Sequence, residues 1–364
     1  MKYLFLISIL IFPMTSSVIA QEKFDCERDG LLGPVKSVEA GRIEYPLVDG
    51  KAVAGRSLMT TRTSFNETCH RIETLSYGPN GEKLERRVYT YDPAGRNTGY
   101  LEFSSILDKS LATSRKHIYV LDGEGRIIGY LVFESDGSIG SRFTYESDAK
   151  GNKLEEQFYS WNGARSGRVV FTYDAGGHPL TQTSYQNDLI RWKSINSYDA
   201  KGRTIERTQF IDGILRYKFT FGYDDQGRLT SLETFEFNAP PNSTLVSHAP
   251  VPGKVTYAYN DAERTREISA YSQTGTLTSR EIHTTDERDH EISLLRFDGS
   301  GTVVNLDISW YQNNKLSRTL SGNALTRFEY DSHGNWTTKT YLIQAAGAKE
   351  PEAYNAEYRI ITYY

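Results

Sequence analysis

The chain is poor in several things. Only two of its 364 residues are cysteines, Cys26 and Cys69. Two thiols with the neighbouring His70 do not supply the four ligands of a structural zinc site, so no metal is expected. In an exported chain an even pair points to one disulfide tethering the N-terminal segment to the first hairpin, two free thiols being the alternative. Charge of one sign is missing too: 42 Lys and Arg are interspersed with 46 Asp and Glu, for a formal net charge of −4. That balance leaves no nucleic-acid footprint. No segment after the first twenty residues has the apolar length of a membrane-spanning helix. A Gly-x-Ser-x-Gly elbow, a phosphate loop and a dinucleotide fingerprint are all absent, so no cofactor and no catalytic residue is assigned.

Residues 1–20 read as a signal peptide. Lys2 gives the positive start, Tyr3 to Phe12 the short apolar core, and Val18-Ile19-Ala20 the cleavage region. The expected destination is the periplasm or the exterior, with no membrane span left after cleavage.

What the chain has in abundance is aromatic: 25 Tyr and 16 Phe. Many sit in one recurring unit. Tyr91-Asp92 leads to Gly95-Arg96, Leu121-Asp122 to Gly125-Arg126, and Tyr173-Asp174 to Gly177. Tyr198-Asp199 leads to Gly202-Arg203, Tyr223-Asp224 to Gly227-Arg228, and Tyr330-Asp331 to Gly334. Ser147-Asp148 to Gly151 and Tyr77 to Gly81 are partial copies. Steps of 25 or 26 residues between Asp148, Asp174, Asp199 and Asp224 mark a repeat architecture. Asp accepts hydrogen bonds from amides just ahead of it, and Gly supplies the left-handed conformation that ends the turn. The unit is therefore a hairpin turn. Second turns lie midway, at Asp136-Gly137, Asn162-Gly163, Asn187-Asp188, Asp212-Gly213 and Thr274-Gly275. Between turns the residues alternate, as in Leu215, Tyr217, Phe219, Phe221 and Tyr223, which is a strand with one apolar face.

This pattern resembles the YD repeats of the RHS family, over roughly residues 77 to 336. The resemblance implies long antiparallel β-sheets, which in large members curl into a shell around a toxic C-terminal domain. This chain is short and has no evident toxin domain after its last copy.

The expected organisation is a leader (1–20), lead-in strands (21–75) and a hairpin array (76–364) carrying a proline-rich loop insert at 238–253. The expected fold is all-β: antiparallel hairpins forming a long twisted, curled sheet or partial barrel. His283 and His290, with Asp286 and Asp289, have metal-ligand chemistry but match no metal motif. Asp298-Gly299-Ser300-Gly301 lacks the alternating oxygen ligands of a calcium loop and reads as a turn. Rings recurring on strands form ladders that either make the core or grip a sugar or another chain; Trp161, Trp192, Trp310 and Trp336 are the binding candidates. The function expected is a non-enzymatic binding or scaffold protein of the bacterial envelope or exterior, with a glycan or protein partner. The alternatives are a hydrolase of an envelope polymer using paired carboxylates, and a reduced toxin-delivery shell.

Overall fold

A computed structural model describes residues 25–48, 51–104, 114–237, 253–322, 324–344 and 350–364. The leader, and the insert except for Gly253, lie outside the described residues; Gly253 opens the strand Gly253–Asn260. The one helix among the described residues is a single turn, Asp25–Arg28.

Twenty-four strands form one sheet, each antiparallel to its neighbours. From Ser57–Phe65 to Glu352–Tyr363 every strand pairs with the next in sequence. The strand Val35–Glu44 fits between the first and last of these: Val38 lies opposite Thr63 on one side and Ile361 on the other. The sheet is therefore a closed ring. Closure removes the open edges that a curled or partial barrel would still present.

The barrel is hollow. Twenty-four strands spaced about 4.8 Å apart give a perimeter of about 115 Å, too wide for side chains to meet across the bore. Buried apolar residues are accordingly few. Among the described residues Cys26, Leu31, Val35, Val38 and Phe65 make the one compact cluster, under the N-terminal turn where the ring closes. Burying Phe65 fully contributes roughly 1.5–3 kcal/mol there. Elsewhere the wall is one layer thick, and its tyrosines and phenylalanines are half-buried rather than gathered into a core.

Hairpin turns alternate between the two rims. One rim carries the turns that follow Asp92, Asp122, Asp148, Asp174, Asp199, Asp224, Asp286 and Asp331, and is called here the Asp rim. The other carries the midway turns. Two of these, among the described residues, are two-residue turns with both residues left-handed: Asn187 (φ 49°) and Asp188 (59°), and Asp212 (48°) and Gly213 (80°).

Candidate functional site

The Asp-rim unit follows one plan, with the Asp331 copy departing from it by taking the Tyr363 hydroxyl in place of a bond from the side chain after its glycine. The Asp199 carboxylate takes amide hydrogen bonds from Lys201 and Arg203, both at 2.9 Å, and a side-chain bond from Arg203 Nε at 2.7 Å. The Arg203 amide and guanidinium together hold the Asp199 carboxyl below the usual carboxylate range. At Asp174 the partner is His178, whose side chain does the same. The Gly of each unit is left-handed: φ is 81° at Gly95, 86° at Gly125, 85° at Gly177, 77° at Gly202, 87° at Gly227 and 96° at Gly334.

Each turn is followed by a register shift, and the repeat tyrosine fastens it. Tyr223 donates its hydroxyl to the Thr204 carbonyl (2.8 Å), Tyr173 to Lys153 (2.7 Å), Tyr198 to Pro179 (2.7 Å) and Tyr91 to Arg71 (2.8 Å). Burial of the ring raises the Tyr223 hydroxyl above its ordinary pKa and the Tyr91 hydroxyl to about 12. Where an arginine follows the turn glycine and a tyrosine opens the next unit, the guanidinium lies over that ring. Arg203 stands 4.6 Å from the Tyr223 ring centre and Arg228 4.3 Å from that of Tyr259. Histidines take the same place, with His290 stacked on Tyr311 at 4.3 Å.

The repeat tyrosines define one face of the wall. Along it runs an aromatic row: Tyr89–Tyr100 at 5.8 Å, Tyr100–His117 at 4.2 Å, Tyr130–Phe143 at 5.8 Å and Phe143–Phe158 at 5.4 Å. His117 is buried here, its Nδ1 bonded to the Tyr130 hydroxyl, and burial pushes its pKa down. Further round, His283 bonds Glu291 (2.6 Å), and Arg296 grips both Glu281 (3.2 Å) and Asp307 (2.5 Å).

The opposite face carries a feature the sequence reading missed. A cation six residues before each turn Asp from Asp92 to Asp286, or before the Asn260 that replaces one, lies directly across from an aromatic eleven residues after that Asp or Asn; at Asp331 the same two places hold Leu325 and Leu342. The rungs are Arg86–Phe103, Lys116–Phe133, Arg142–Tyr159 and Arg168–Tyr185. Lys193–Phe210, Lys218–Phe235, Lys254–Tyr271 and Arg280–Phe297 complete eight. Each following cation is offset by two residues from the previous ring, as the stagger of a barrel requires: Lys116 faces Leu101, next but one to Phe103. The result is a belt of alternating cations and rings across sixteen strands. In the arginine rungs the guanidinium lies on the ring, 3.9 Å from the centre of Tyr159, 4.1 Å from Tyr185 and 4.2 Å from Phe297. The Nε atoms of Arg142, Arg168 and Arg280 are buried there without a hydrogen-bond partner. Glu73, Glu155, Glu206 and Glu233 pair with Arg86, Arg168, Lys218 and Lys254. Among the described residues Lys116, Arg142, Lys193 and Arg280 have no ion-pair partner. The signal was present in the sequence as two fixed offsets from Asp, outside the turn itself.

The four tryptophans are not brought together. Trp161 stands at a midway turn, 78 % exposed. Trp192 lies on the tyrosine face opposite Ser184 and Ile211. Trp310 lies on the belt face under Arg318 at 4.3 Å. Trp336 is sandwiched near the Asp rim between Arg359 (3.9 Å) and Lys339 (4.2 Å). His283 and His290 also part company, His290 bonding Asp286 at 3.0 Å. Cys26 and Cys69 are bridged, with Cα atoms 5.5 Å apart. The bridge ties the N-terminal turn to the Asp rim beside the closing strand. On the other side of that strand Asn335 bonds the backbone of Leu32 through both its amide atoms, each at 2.7 Å.

No protein-family model matches this chain. No curated protein matches it either. Among solved structures it is similar to one described as TcdB2-TccC3-TEV, at 11 % identity and a TM-score of 0.34, over 89 % of this chain and 21 % of that one. It is also similar to a porin-like protein from Bacteroides uniformis (11 % identity, TM-score 0.22, 91 % of this chain and 98 % of that one). A porin-like protein from Bacteroides vulgatus gives 10 % identity and a TM-score of 0.16 over the same shares. At such scores these likenesses do not tie the chain to any one of them.

Proposed function

We propose that this protein is an exported, water-soluble hollow barrel that works by binding, as a non-enzymatic scaffold of the bacterial envelope or exterior. The observation that carries this is the chemistry of the wall: both faces are charged and both display half-exposed rings. One face has the cation belt. The other has Arg87, Glu102, Glu281, Arg296 and Asp307 among its tyrosines. An Arg or Lys on a lipid-facing strand costs about 2–4 kcal/mol at the bilayer midplane, so neither face suits lipid. A wall wet on both sides, with regular aromatic rows, favours extended or cyclic ligands laid along it. The Tyr-Asp turns supply the support for kinship with YD-repeat proteins.

The hydrolase reading fares less well. A glycosidase needs one carboxylic acid kept protonated beside an ionised partner. Burial alone would raise the Asp307 carboxyl, but bonds from Ser321 and Asn305 and the Arg296 guanidinium hold it below the ordinary range. Arg296 also occupies the space between Asp307 and Glu281.

The test is a glycan array and an envelope-extract pull-down with purified barrel, alongside fractionation of a host expressing the full chain. Recovery from the soluble periplasmic or extracellular fraction with a selective ligand supports the reading. Recovery in the membrane fraction, or no ligand in either screen, overturns it.

A further inference from the structure

We propose that the cation–aromatic belt is a binding track for an acidic polysaccharide carrying about one carboxylate or sulfate per disaccharide. This rests on the binding reading above and names its ligand class. Successive belt cations stand two strands apart, on the order of 10 Å, which is the scale of two linked pyranose rings. Between them the rungs place aromatic rings, and those of the four lysine rungs, with no cation over them among the described residues, are the surfaces on which a sugar stacks. The arginines are preorganised: with the guanidinium flat on a ring and Nε buried, Arg142 and Arg280 keep their terminal nitrogens for an acid group. In the lysine rungs no ammonium covers its ring among the described residues, and Phe235 is 38 % exposed. Four cations carry no ion-pair partner and four do, so an acid group meets free positive charge at Lys116, Arg142, Lys193 and Arg280. Alternating stacking surfaces and cations also suit single-stranded nucleic acid. A phosphate at every nucleotide, however, demands a basic protein, and this one is net negative.

Titration calorimetry on the purified barrel tests this with three probes: hyaluronan, which has one carboxylate per disaccharide, neutral dextran, and an oligodeoxythymidylate. The expected result is binding of hyaluronan alone, weakening with salt. Lys116→Gln combined with Lys193→Gln should cut hyaluronan affinity by about tenfold or more and flatten the salt dependence. Among the described residues neither ammonium makes an ion pair or lies over a ring, and Gln keeps most of the aliphatic stem, so the melting temperature should hold. Lys150→Gln, on an exposed turn, is the control and should bind like the parent. Equal binding of dextran, tighter binding of the oligonucleotide, or unchanged affinity in the double variant overturns the track. A barrel that ignores hyaluronan and finds on the array only ligands other than acidic polysaccharides also overturns the track, while sparing the binding reading. A barrel that binds nothing overturns both.

Discussion

The imidazole of His178 lies against Gly202 in the next hairpin: a methyl group built on Gly202 would stand 2.5 Å from His178 Nε2. The same relation joins His70 to Gly95 at 3.0 Å and Arg96 to Gly125 at 2.7 Å. These glycines are required twice, once for backbone conformation and once for the neighbour stacked above them.

Gly163 separates the two requirements. Its φ of 78° matches the 77° of Gly202, but nothing lies within 4 Å of the position a methyl would take. Gly163→Ala should therefore cost about 1–2 kcal/mol, the left-handed strain alone. Gly202→Ala should cost about 1 kcal/mol more, because His178 must give up its bond to Asp174. Denaturant melts measure both. Adding His178→Ala should abolish the difference, and additive costs in that cycle would refute the contact.

The tyrosine fastening gives a second graded pair. Tyr223 is the side-chain donor to Thr204, whereas Tyr198 shares the Pro179 carbonyl with Asn196, which donates at 2.8 Å. Tyr223→Phe should cost about 0.5–1.5 kcal/mol, and Tyr198→Phe clearly less. Equal costs would show that the hydroxyls bond water as readily as carbonyl.

Turn and strand were legible in the sequence because their causes are local. Asp, Gly and alternating aromatics act within a few residues, and the turns sit where those residues stand. Closure was not legible. Val38 meets Ile361 across more than three hundred residues, and nothing near either one marks the other as its partner. The belt was half-legible: Arg142 and Tyr159 keep fixed distances from Asp148, but their pairing appears only once the register is known. The aromatic-rich face suggested a core, and the large circumference keeps it wet instead. The tryptophans were chosen for size, a property that says nothing about which face or rim receives them.

The bridge between Cys26 and Cys69 closes a loop of 43 residues in sequence separation, spanning the closing strand. Chain-entropy arguments put its stabilisation at about 4 kcal/mol. Reducing agent, or Cys26→Ser with Cys69→Ser, should lower the melting temperature and speed hydrogen exchange first in Val35–Glu44. Uniform loosening around the ring would argue that the bridge does not guard that seam.

Acid should weaken the Asp rim. The amide of Arg96 is the chief cause that lowers the Asp92 carboxyl, and the side chain of Arg126 that of Asp122. The Arg228 side chain likewise lowers the Asp224 carboxyl. A carboxyl depressed on folding stabilises the fold above its unfolded value of about 3.9, and the contribution fades as pH falls through the depressed values. Stability should hold steady from neutrality to about pH 5 and decline below about pH 4. Asn at several turn Asp positions should make that decline shallower; an undiminished melting temperature at pH 2 would contradict the coupling.

The strand Val35–Glu44 also sets a timetable. It is translated before all the other strands of the ring, yet one of its two partners, Glu352–Tyr363, follows only some three hundred residues later. Throughout synthesis a growing ribbon carries two raw margins, each able to pair with any other ribbon nearby. A nascent chain of this design depends on being held apart from its siblings until Glu352–Tyr363 has been made. A truncation that removes Glu352–Tyr363 would leave a polymerising seed in place of a smaller barrel.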